Sequence, residues 1–92
     1  MYLEIVSPEA TLFAGEVESV TVPGVNGEFQ MLHNHAPIVS LLQEGIVKIK
    51  GTIELDEAHK DKFTKEGSDR IHLAIKSGTI ELNDNKLIVL AD

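Results

Sequence analysis

VPGVNGEFQMLHNHAPIVSLL, residues Val22–Leu42, is the stretch on which the reading of this chain turns. It opens on two turn signals, Pro23-Gly24 and Asn26-Gly27. Glu28 to Leu32 then reads as a strand. His33-Asn34-His35 breaks the pattern ahead of Ala36-Pro37, and Ile38 to Leu42 resumes as a mostly apolar strand. A Gly-rich acidic turn, a histidine, an Ala-Pro step and an apolar run do not have the layout of an active site. They read as a shaped rim on a small β domain, a surface for another protein to grip.

The flanks carry the same period-two pattern. Tyr2–Val6 is a first strand with Leu3 and Ile5 on one face, ended by Pro8, which has no amide proton for a ladder. Thr11–Glu16 is a short second strand with a bend at Gly15. Val17–Val22 is a third. Beyond Leu42, Ile46–Lys50 alternates with Val47 and Ile49 inward, and Thr52–Leu55 is expected to extend that pairing past Gly51. Ile71, Leu73 and Ile75 share a face, as do Ile80 and Leu82. Asn83-Asp84-Asn85 tolerates positive φ and suits a hairpin turn. Leu87–Leu90 is apolar on both faces and is expected to be the most buried strand. Asp56–Asp69 (DEAHKDKFTKEGSD) is dominated by charge and reads as a mobile or locally helical excursion. Eight to ten short strands without a long helix predict an all-β fold, a two-sheet antiparallel sandwich or flattened barrel.

Composition limits the function classes. The 92 residues form a single domain, residues 1–92, with a modest core. Fifteen acidic against eight basic residues give a charge of −7, which disfavours nucleic acid and anionic lipid surfaces as partners. There is no cysteine, so no disulfide framework. The N-terminus lacks the basic start and apolar run of a signal peptide, and no stretch is long enough to span a bilayer.

The residues offer little chemistry. His33 and His35 could point to one side of a strand and hold a metal, but His59 and His72 lie elsewhere with no ligand spacing. Hydrogen-bonded or solvated imidazoles are the plainer account. None of the five serines sits in a G-x-S-x-G elbow. Gly24, Gly27 and Gly45 do not form a phosphate loop, which needs a helix N-terminus after the glycines. No catalytic residue, metal or cofactor is expected.

The whole chain also resembles a known family, the N-terminal β-sandwich of the epsilon subunit of the F-type ATP synthase (delta in mitochondria). LEIVSPEATLFAGEVESVTVPG is similar to that family's opening hairpins. GVNGEFQMLHNHAPIVSLLQEGIVKI is similar to its signature, an acidic G-E turn leading to H-A-P and then to a strand ending in x-G-x-x-x-I. KLIVLAD is similar to its last strand. The resemblance implies a non-catalytic rotor subunit that links the gamma subunit to the c-ring and so couples ion flow to ATP synthesis. It implies a peripheral position on the cytoplasmic face of the bacterial inner membrane, without insertion. Transferred through the motif, Glu28, Gln30 and Asn34 are expected to face the c-ring, and Ser7, His35 and Ser40 the gamma subunit. Glu28 has a plainer reading as a solvated turn carboxylate, and His35 as a brace for its own turn. An isolated copy could dimerise through the gamma-facing surface.

Three departures stand out. Gln30 replaces a frequent glycine, His33-Asn34 replaces the common P-G before H-A-P, and Asp56–Asp69 is longer than the usual connection. Many relatives continue past L-A-D into two helices that inhibit hydrolysis and, in some, bind ATP. The sequence ends at Asp92, so a short form with neither property is expected, a trimmed piece being the other possibility. Two other functions stay open: a free-standing β-sandwich adaptor or ligand-binding module with an unrelated partner, and a small metal-dependent hydrolase using His33 and His35.

Overall fold

The computed structural model describes residues 1–92. Ten strands run in chain order: β1 (Tyr2–Val6), β2 (Thr11–Glu16), β3 (Ser19–Gly24), β4 (Gly27–Leu32), β5 (Ile38–Leu42), β6 (Gly45–Lys50), β7 (Phe63–Lys65), β8 (Arg70–Ile75), β9 (Gly78–Asn83) and β10 (Lys86–Ala91). Hydrogen bonding joins them in one path, β2-β1-β10-β9-β5-β3-β6-β8-β7, with β4 on the other side of β3. The link between β5 and β3 is a single residue pair, Gly24 with Leu42. The path therefore folds at that corner into two layers: β2-β1-β10-β9-β5 and β4-β3-β6-β8-β7. This is the expected sandwich, closed along one side. All pairings are antiparallel except β1 with β10, which run parallel.

Alternation places the core. Leu3, Ile5, Ile80, Leu82, Leu87 and Val89 from the first layer meet Val20, Val22, Met31, Val47, Ile49 and Leu73 from the second in one buried cluster. No buried side-chain nitrogen or oxygen lacks a partner, as a well-formed interior requires. In β2 the ladder slips, so that Ile5 opposes Phe13 and Val6 opposes Thr11. Leu12 is the extra residue of this bulge. Breaking the alternation there lets Leu12 and Phe13 both be buried.

Four local readings change. β3 starts at Ser19 rather than Val17. Thr52–Leu55 does not extend β6: the chain bends at residues 51–52, and the Gly51 N–H bonded to the Asp69 carbonyl is the last rung of the β6–β8 pairing. Ile53 and Leu55 instead pack on the margin of the core. The charged excursion contains one 3-10 turn, Lys60–Lys62, and then β7, whose Phe63 is buried opposite Leu73. β10 buries only one face: Leu87, Val89 and Ala91 point in, and Leu90 is half exposed. The most enclosed strand is β3, held between β4 and β6.

Candidate functional site

Turn geometry sets the ends of the sandwich. The β3–β4 hairpin closes with Gly24 opposite Gly27, where Gly27 has φ 124, an angle that favours glycine. Glu28 follows on the outer face of β4. Its carboxylate meets the Lys48 ammonium of β6 at 3.1 Å, both half exposed. Glu28 is thus paired with a neighbour in a contact open to solvent. Gln30 is next on the same outer face. Asn34 lies past the end of β4, beyond about 13 Å of strand from Glu28. The structure brings Glu28 and Gln30 together and sets Asn34 apart at the opposite end.

That opposite end is clamped. Asp84 and Asn85 take φ 49 and 62 to close the β9–β10 hairpin, the two-residue turn their types favour. Asn85 Oδ1 accepts the Asn34 backbone N–H at 2.9 Å, and Asn85 Nδ2 lies 3.0 Å from His33 Nδ1. Since Oδ1 is the accepting atom, Nδ2 donates and neutral His33 accepts on Nδ1. His35 uses its Nδ1–H on the Ala36 carbonyl at 2.7 Å, while its backbone N–H bonds the Leu32 carbonyl. Both bonds hold His35 within its own turn. His33 and His35 stand in a turn rather than on one strand face, each with its own partner. No group of three His, Cys, Asp or Glu side chains converges to hold a metal.

Ser7, His35 and Ser40 belong to the first layer but not to one point. Ser7 Oγ donates to the Ala10 carbonyl and accepts the Ala10 N–H, bracing the β1–β2 turn. Ser40 lies in mid-strand with Oγ on the Leu41 carbonyl. His35 precedes the other end of β5.

Beside them lies an apolar surface that no motif in the sequence marks. On the outer face of the first layer, Leu41, Thr79, Leu90 and Val6 follow one another across four strands, and Val39, Glu81, Ile88 and Glu4 form the next row. Val39 is 76% exposed, Leu41 62% and Leu90 50%. Val6, Pro8, Val25, Leu41 and Leu90, with Ser7 at the rim, enclose a groove of about 590 Å³. Its signal was present in the sequence, because β5 and β10 are apolar on both faces whereas a solvated sandwich strand is polar on one. An apolar patch of this kind marks an interaction surface. No helix is long and apolar enough to cross a membrane.

Comparison with known proteins places the chain in a family. A family model described as ATP synthase, Delta/Epsilon chain, beta-sandwich domain matches residues 1–92. The chain is 36% identical over 92 residues to an ATP synthase epsilon chain of Campylobacter concisus, covering 100% of this sequence and 60% of that one. It is 36% identical over 90 residues to one of Helicobacter pylori, covering 98% and 61% respectively. It therefore spans about three fifths of the length of these relatives. Among solved structures, its fold matches a chain of the Tetrahymena thermophila mitochondrial ATP synthase central stalk and c-ring with a TM-score of 0.74 at 15% identity, over 99% of this chain and 62% of the other. A chain of the Euglena gracilis mitochondrial ATP synthase gives 0.73 at 20% identity, over 97% and 48%.

Proposed function

The chain belongs to the ATP synthase delta/epsilon β-sandwich family, and we propose that it is a non-catalytic central-stalk subunit that fastens the gamma subunit to the c-ring. The observation that carries this reading is the apolar groove on the outer face of the first layer. A lone soluble sandwich has no use for Val25, Leu41 and Leu90 exposed along one groove, and a shaft packed over them does. Ser7 at the groove rim fits the gamma-facing side, His35 shapes the turn that leads into β5, and Ser40, opposite Ile80 on the other face of that strand, backs the contact rather than making it. Glu28 and Gln30, on the outer face of the second layer, are the contacts offered to the c-ring. Asn34 joins them only if the ring reaches the other end of β4.

The mechanism is mechanical. A rotor coupling must not flex, and a densely packed core transmits force with little compliance. Ion flow turns the ring, the sandwich holds ring and shaft in fixed relation, and the shaft carries torque to the catalytic head. In this reading the subunit is peripheral, on the cytoplasmic face of the bacterial inner membrane. When isolated, its apolar face is free to pair with a second copy.

Affinity purification of the tagged chain from its own cells tests the reading. Recovery of gamma and c subunits in constant ratio is the expected result, and a Leu41→Glu variant should lose gamma. Recovery with an unrelated protein and without either subunit would favour a free-standing adaptor instead.

A further inference from the structure

The outer face of the second layer carries a cluster of opposite character to the rest of the molecule. The β6–β8 register sets Lys48 directly across from His72 and Lys50 directly across from Arg70. All four line one hollow of about 410 Å³, and no carboxylate lines it with them. Like charges directly opposite on a sheet are destabilising. In a chain with fifteen acidic and eight basic residues, three of the eight, including the sole arginine, meet here.

Nearby acids compensate only part of this charge. Glu28 pairs with Lys48 from outside the hollow at 3.1 Å, and Glu66 comes within 4.0 Å of His72 Nδ1. Lys50 and Arg70 have no ion-pair partner. The floor is built of donors as well. Ser19 is buried there, the one buried polar residue of the domain, with Thr21 and Gln30 beside it. Hydroxyl, amide, ammonium and guanidinium donors converging without a carboxylate suit a tetrahedral oxyanion, which accepts from several donors at once.

We propose that the hollow between β3, β4, β6 and β8 is a phosphate-binding site, with Arg70 and Lys50 as its principal ligands and Ser19 and Thr21 as floor donors. The ligand is a phosphate group, from a soluble phosphate or from an anionic phospholipid headgroup. The site does not depend on the stalk reading, since every group in it lies within this one chain.

The test is titration of the full chain, followed by backbone amide chemical shifts, with inorganic phosphate at constant pH and ionic strength. Saturable shifts confined to the lining residues 19, 21, 30, 48–50, 70 and 72 are expected. Arg70→Gln and Lys50→Gln should each weaken binding about tenfold, as expected for a lost charge-assisted bond. Both side chains are solvent-accessible, so the spectrum elsewhere should be unchanged, and Lys76→Gln, outside the hollow, should bind as the parent does. Flotation with phosphatidylglycerol vesicles, against phosphatidylcholine vesicles, separates the sources. Arg70-dependent flotation that phosphate competes away identifies the headgroup, and saturable phosphate binding without flotation identifies a soluble ligand. Shifts that never saturate, shifts spread over the surface, or binding that survives Arg70→Gln would overturn the proposal.

Discussion

At the scale of single residues, Asn85 makes the most of its position. It holds φ 62 in the β9–β10 turn and spends both ends of its amide on Asn34 and His33, fifty-one and fifty-two positions away. Asn85→Gly keeps the backbone angle and removes only the clamp. It should cost about 1 kcal/mol in chemical denaturation, with faster amide exchange confined to residues 33–37; unchanged exchange there would mean the clamp does not order the turn. Glu28 is the contrasting case. Its bond to Lys48 is exposed, and such pairs contribute about 0–1 kcal/mol. Glu28→Gln should therefore leave the melting temperature of the isolated domain nearly unchanged while loosening the c-ring and lowering coupled ion pumping. A variant that unfolds would show that the pair matters to the fold, and one that pumps normally would remove Glu28 from the ring contact.

At the scale of elements, the corner at Gly24 joins the two layers. A Cβ added there would stand 2.7 Å from a Phe29 ring carbon and 2.8 Å from the Gly27 carbonyl oxygen. Gly24→Ala should thus cost about 1–3 kcal/mol through overpacking, and an equally stable variant would contradict a tight corner. The strands were legible wherever alternation spans five or six residues, as in β1, β6, β8 and β9. β7 was not, because three residues with one large apolar side chain carry no period. What reveals it is tertiary: Phe63 fills the core opposite Leu73. Phe63→Ala should cost about 3 kcal/mol or more and free the charged segment to proteolysis. The site was legible only in part. The G-E turn and H-A-P motif located Glu28 and His35, but the pairing of His33 with Asn85 joins distant segments and leaves no local trace. The outward Leu41 and Leu90 were masked because a strand apolar on both faces reads equally well as a buried one.

At the scale of the whole molecule, two outer faces of one sandwich differ in kind. The first layer shows water an apolar groove, and the second shows it charge and hydroxyls. A body with two unlike faces and a dense interior suits a part that joins two unlike partners. Leu41→Ser should change the stability of the isolated domain by no more than about 0.5 kcal/mol, since the side chain is mostly exposed, and should reduce self-association in sedimentation. A large loss of stability would instead mean that Leu41 belongs to the core. The chain has no cysteine, which permits the most direct test of the two-faced clamp: single cysteines at position 41 and at position 28, cross-linked in the assembled ATP synthase. The account predicts an adduct with gamma from position 41 and with a c subunit from position 28, each leaving rotation intact because the three parts turn as one body. Adducts with the reverse partners, or from neither position, would contradict it.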